Sequence, residues 1–225
     1  DCTARLWNVS DCERTQTFEG HSRPIRDVAY RLDGQMVATA SEDKTARLWN
    51  ATSGTCMKIL TGHTRQVSSV TFSPDGQLAA TGSRDRDIRL WNVASGECST
   101  TLDGHTGWVN TLAFSPNGAM LASGSRDKNV KLWSAQGGVC LSTLTNIKDP
   151  VTCMAFSPDG SILITGSLKH TQLWTVPDGK CTQTLRDLAG YVNAVACSPD
   201  GAVVATGSSF GTVKFYLATG SNGLP

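Results

Sequence analysis

His63, Ser83 and Asp85 are the side-chain types of a hydrolytic triad: a serine nucleophile, a histidine base and a carboxylate that orients the imidazole. The same types recur as His21, Ser41 and Asp43 and as His105, Ser125 and Asp127, always with Ser 20 and Asp 22 residues after His. An active site needs one triad. A set that returns with the periodicity of the chain itself is scaffolding, so these residues are expected to hold the fold rather than to cleave a bond. No phosphate-binding glycine loop, CxxC pair or metal-ligand cluster is visible, and no catalytic residue, metal or cofactor is expected.

The elements that carry these residues repeat every 42 residues. Gly-His stands at Gly20-His21, Gly62-His63 and Gly104-His105, and a Trp lies 28 residues beyond each His, at Trp49, Trp91 and Trp133. Trp7, Trp174 and Tyr216 extend the series, with one step of 41 before Trp174. Apolar residues alternate with polar ones, as at Val70 and Phe72 or Leu112 and Phe114, which is the period of a strand. Ser73-Pro74-Asp75-Gly76, Ser115-Pro116-Asn117-Gly118, Ser157-Pro158-Asp159-Gly160 and Ser198-Pro199-Asp200-Gly201 read as hairpin turns. Pro presets φ, Asp or Asn follows, and Gly accepts positive φ. A small-residue strand such as Ala79-Ala80-Thr81-Gly82-Ser83 follows each turn. The expected fold is an all-β propeller of four-stranded antiparallel blades.

At 225 residues, 39% hydrophobic and a net charge of +1, the chain is neither acidic nor basic enough to announce a nucleic-acid or membrane partner. It has no leader-like N-terminus and no apolar run long enough for a bilayer, and an intracellular protein is expected. Five of the eight cysteines (Cys12, Cys56, Cys98, Cys140, Cys181) recur with the repeat and are expected to be reduced packing thiols, because equivalent positions on neighbouring blades exceed bridging distance. Asn8-Val9-Ser10 and Asn50-Ala51-Thr52 match a glycosylation sequon but follow the repeat's Trp and need no glycan.

The words Gly62-His63, Ser83-Arg84-Asp85 and Leu90-Trp91-Asn92 resemble the WD40-repeat β-propeller family over nearly the whole chain, with Asn or Ser in place of the usual Asp after Trp at Asn8, Asn50, Asn92 and Ser134. The resemblance implies that each unit supplies an outer strand and then three strands of the next blade. It also implies a hydrogen-bonded tetrad per blade: His21, Ser41, Asp43 and Trp49; His63, Ser83, Asp85 and Trp91; His105, Ser125, Asp127 and Trp133. The last two units lose it. Ile147 and Leu188 stand where His would be, Lys169 and Phe210 where Asp would be, and Tyr216 replaces Trp, so these units are expected to lean on apolar packing alone.

The family's top face maps onto Pro24, Arg26 and Glu42; Gln66, Ser68 and Arg84; Trp108, Asn110 and Arg126; then Pro150, Thr152 and Leu168, and Tyr191, Asn193 and Ser209. The candidate binding residues are Arg26, Glu42, Gln66, Arg84, Trp108, Asn110, Arg126, Tyr191 and Asn193, since aromatics with Arg make binding hot spots. Three Arg against Glu42 suggest a protein or peptide partner that is acidic or phosphorylated. The expected function is an interaction scaffold, not an enzyme. Alternatives are an RNA- or ribonucleoprotein-associated propeller, for which the near-neutral charge gives no broad phosphate footprint, and the sensor domain of a larger signalling protein.

By phase, residues 1–19 read as two strands of a partial first blade, 20–217 as five repeats and 218–225 as a flexible tail. A seven-bladed ring, the family's usual form, takes more strands than these units supply. The expectation is a piece of a larger ring, with closure through residues 15–18 or completion by a second copy as the alternatives.

Overall fold

The computed structural model describes residues 1–176, 178–185 and 190–217, and among them regular structure is strand alone. Two compact units form, Asp1–Leu112 and Ala113–Pro225.

In the first unit, β1 (Ala4–Trp7) pairs with β2 (Arg14–Phe18). A four-stranded sheet follows in chain order, β3 (Ile25–Tyr30), β4 (Met36–Ser41), β5 (Ala46–Asn50) and β6 (Cys56–Leu60). A second has β7 (Val67–Phe72), β8 (Leu78–Ser83), β9 (Ile88–Asn92) and β10 (Cys98–Leu102). The division between the units falls inside β11 (Val109–Phe114). The second unit continues with β12 (Met120–Ser125), β13 (Val130–Ser134) and β14 (Cys140–Leu144), then a sheet of β15 (Cys153–Phe156), β16 (Ile162–Gly166), β17 (Thr171–Thr175) and β18 (Cys181–Leu185). The last sheet has three strands, β19 (Val192–Cys197), β20 (Val203–Ser208) and β21 (Val213–Leu217). Leu188 and the 218–225 tail lie outside the described residues.

The turn words act as their chemistry demands. Between β7 and β8, Gly76 takes φ of 70° and its N–H donates to Ser73 O at 2.9 Å, while Ser73 Oγ accepts from Leu78 N and Asp75 Oδ1 from Gln77 N. The first repeat departs from this pattern. Arg31 and Leu32 replace Ser and Pro, and the Arg31 guanidinium makes two bonds to Asp33, at 2.9 and 2.7 Å.

The second strand of a blade is small where the next blade's inner strand lies on it. A Cβ at Gly82 would come within 2.6 Å of Val109 Cγ1, and one at Gly166 within 2.5 Å of Cys153 Sγ and 2.8 Å of Val192 Cγ1. Buried Met36, Ala38, Leu48, Val67, Val70 and Trp91 form one core cluster; Leu132, Leu144, Ile147, Val151, Leu163 and Trp174 form another in the second unit.

Each Trp sits where its pairing with the outer strand slips by a residue. Cys56, Cys98, Cys140 and Cys181 stand opposite Trp49, Trp91, Trp133 and Trp174 at these bulges. The cysteines are all free, and Cys56, Cys98 and Cys140, expected to pack, are exposed at the outer edge. Cys12 leaves the pattern: it lies before β2 in a left-handed turn, and Arg14 takes the place opposite Trp7.

Candidate functional site

The repeated His and Asp meet, but the hydroxyl they meet is not the serine expected from the spacing. Trp49 Nε1 donates to Thr39 Oγ1 at 2.9 Å, Thr39 Oγ1 lies 2.7 Å from His21 Nε2, and His21 Nδ1 lies 2.7 Å from Asp43 Oδ2. The next blade repeats this with Trp91, Thr81, His63 and Asp85 at 2.8 Å throughout. In the second unit Trp133 donates to Ser123 Oγ, also two residues before the expected Ser125. One tautomer satisfies the set: Trp N–H to Thr, Thr O–H to Nε2, Nδ1–H to carboxylate.

Ser41 instead faces Arg23 O and Pro24 O at 2.9 and 3.1 Å and accepts from Asp43 N, and Ser83 faces Arg65 O. No serine among Ser41 and Ser83 touches its histidine, so the nucleophile–base contact of a triad is not made. Register explains the shift. Val37 stands opposite Trp49 and Thr39 opposite Arg47, so Thr39 is the diagonal neighbour on the indole's face, while Ser41 lies beyond it at the strand end.

Electrostatics agree with a structural network. Burial pushes the His21 imidazole below its usual range, against the opposing pull of Asp43, and keeps the ring neutral. Burial also raises Asp85, but hydrogen bonds from His63, Thr64 N and Asp87 N outweigh it and hold the carboxyl at about 2.

The first degenerate repeat keeps part of this network, contrary to the expectation of apolar packing alone. Trp174 Nε1 still donates to Thr165 Oγ1 at 2.9 Å, while buried Ile147 fills the histidine's place. The turn after β16 closes one residue sooner, with Ser167 N donating to His170 O where Ser83 N donates to Asp87 O. In the last sheet the buried Thr206 hydroxyl has no hydrogen-bond partner.

The loops that carry the networks form the candidate binding face. In the first unit they enclose an open cleft of about 530 Å³ lined by Ser22, Arg23, Glu42, Asp43, Lys44, Thr64, Arg65, Gln66, Arg84 and Trp108. Four of the expected binding residues, Glu42, Gln66, Arg84 and Trp108, are therefore brought together. The Arg84 guanidinium lies 4.4 Å from the centroid of the partly exposed Trp108 ring, a cation–π stack that holds the side chain in place. The Gln66 carboxamide oxygen is buried without a hydrogen-bond partner.

Other expected residues do different work. Arg26 Nε donates to Glu42 Oε1 at 2.6 Å, so these two charges cancel and the excess counted from three Arg against one Glu shrinks. Ser68 Oγ donates to Val109 O at 2.6 Å, and Thr152 Oγ1 bonds Gly166 O and Val192 O; both tie one inner strand to the next. Asn110 is partly buried on β11. In the second unit Arg126, Tyr191 and Asn193 are exposed, with the Tyr191 backbone bonded to Ser209 through both N–H and C=O.

Arg23, Lys44 and Arg65 were missed. The signal was present: Gly20-His21-Ser22-Arg23 and Gly62-His63-Thr64-Arg65 place Arg two residues after His in consecutive repeats. Among the described residues no three His, Cys, Asp or Glu side chains cluster as metal ligands, and no helix is long and apolar enough to cross a membrane.

Meandering four-stranded antiparallel sheets, each pinned through its Trp, define a repeat protein built of propeller blades. The chain matches the family model of the IFT122 first beta-propeller over residues 80–224 and that of the WD domain, G-beta repeat, over residues 12–50 and 54–92. It belongs to the WD40-repeat β-propeller family, whose domains act generally as protein-interaction scaffolds and are typically not enzymes. The repeat matched at 54–92 runs from β6 through β9, one strand of one sheet and three of the next. A search of curated proteins gave no match.

Proposed function

We propose that this protein is a non-catalytic interaction scaffold that binds peptide or subunit partners on the loop face of its blades, through a segment that carries acidic groups. The observation that carries this reading is the cleft in which Arg84 is stacked on Trp108 and shares its walls with Glu42 and Gln66. A partly exposed aromatic braced by Arg presents area at low entropic cost, the composition of an interface hot spot. In the second unit, exposed Arg126, Tyr191 and Asn193 supply the same kinds of group. Eight free cysteines suit a reducing intracellular compartment.

The test is affinity purification from the native source with the parent chain, Trp108→Ala and Arg84→Ala. Partners that bind the parent should be lost from both variants, and an unchanged partner set refutes the reading. The cations of the cleft favour RNA as the second reading. An RNA partner loses affinity steeply with salt, whereas an aromatic-anchored peptide loses little.

A further inference from the structure

The loop-face cleft of the first unit is rich in donors and poor in acceptors. Arg23, Lys44, Arg65 and Arg84 line it, and among the described residues none of them pairs with a carboxylate. The cleft's two carboxylates are already engaged: Glu42 by Arg26, and Asp43 by His21, Ser22 N and the Thr45 hydroxyl. Ser22 and Thr64 spend their backbone N–H groups on Asp43 and Asp85, and their hydroxyls carry no hydrogen bond among the described residues. Arg84 is fixed by Trp108 in a stacked position.

We propose that this cleft is a phosphoryl pocket: it takes the dianionic phosphate of a phosphoserine or phosphothreonine on a partner peptide, with Arg65 and Arg84 as the principal ligands and Arg23, Lys44, Ser22 and Thr64 around them. A single carboxylate offers two oxygens and one charge, whereas a phosphate monoester offers three oxygens and nearly two charges, a better match to four cations and two hydroxyls. Arg23 and Arg65 follow His by two residues in consecutive repeats, so the pocket is made by neighbouring blades; Gly107 takes that place in the third repeat and offers no side chain there. The proposal rests on the reading of the loop face as a peptide-binding surface.

Fluorescence anisotropy of labelled peptide libraries with a fixed phosphoserine or phosphothreonine, each beside its unphosphorylated twin, tests it on the purified protein. Phosphorylated members should bind about tenfold or more tightly than their twins. Inorganic phosphate should compete, and Arg65→Glu or Arg84→Ala should erase the difference with melting temperature unchanged. Twins that bind alike, or a difference that survives Arg65→Glu, overturns the pocket. If twins bind alike and Trp108→Ala weakens both, the pocket falls and the scaffold reading stands; if every peptide binds Trp108→Ala as before, the loop-face reading falls as well. A mixed-sequence RNA that binds more tightly than every phosphopeptide, with the same arginine dependence, overturns the proposal in favour of RNA. Failure of the whole library to bind overturns both readings.

Discussion

Replacing Thr81 by Val removes one hydroxyl at nearly constant volume and tests which side chain closes the blade network. Thr81 is fully buried, and its oxygen lies 2.8 Å from both His63 Nε2 and Trp91 Nε1. The change leaves a buried imidazole nitrogen and a buried indole N–H without partners, each costing about 1–3 kcal/mol. With no cavity opened, Thr81→Val should destabilise by about 2–6 kcal/mol and lower the melting temperature by about 5–20 °C. Ser83→Ala loses only contacts at 3.3 Å to Arg65 O and 3.1 Å from Asp85 N, near the loop, and should cost about 1 kcal/mol. Thr165→Val is the internal control. Ile147 stands where the histidine would be, so only the Trp174 N–H is orphaned, and the cost should fall to about 1–2 kcal/mol. Urea denaturation followed by circular dichroism measures all three. If Ser83→Ala costs as much as Thr81→Val, the threonine is not the network's hydroxyl and the reasoning fails.

Further outcomes follow from neighbouring features. The Asp85 carboxyl is held at about 2 against an ordinary 3.8, so its contribution is complete above pH about 4 and lost as pH falls toward 2. After allowance for solvent screening the loss is about 1–2 kcal/mol, visible as a fall in urea midpoint that Asp85→Asn should largely abolish. His21 runs with the same sign at higher pH: its lowered pKa means stability is complete above about 6.5 and declines as pH drops below that. Gly82, Gly166 and Gly207 occupy the same repeat position. Gly82→Ala and Gly166→Ala should each cost about 1–3 kcal/mol through overlap with Val109 or with Cys153 and Val192, whereas Gly207→Ala meets only Ala194 Cβ at 4.0 Å and should be neutral, as thermal melts will show. Arg26→Ala removes a half-exposed ion pair with Glu42 and should change stability by less than about 1 kcal/mol in the same melts.

Much of the fold was legible in the sequence because its signals are local. Ser-Pro-Asp-Gly selects a turn through the fixed φ of Pro, an Asp side chain that reaches its own backbone and a Gly with positive φ. Alternation selects a strand through the two-residue pleat. These causes act within a few residues, so the hairpin positions, the strand-only architecture and the 42-residue phase could be read without tertiary contacts. Repetition also disarmed the apparent triad, since one constellation present three times cannot be one active site.

Tertiary structure decided what alternation leaves degenerate. Thr39 and Ser41 lie on the same face of β4, two residues apart, and only the pairing of Val37 with Trp49 puts Thr39 under the indole and Ser41 against the loop. The same holds for charge. Arg26 and Arg84 are alike in sequence, but one is cancelled by Glu42 while the other is braced on Trp108, which lies 24 residues away along the chain. The sequence alone determined the blades, because backbone hydrogen bonding and turn sterics are written residue by residue. The cleft that Arg23, Lys44, Arg65 and Arg84 line exists only where loops from different blades are brought together, and no local rule specifies which charges such a meeting leaves unpaired.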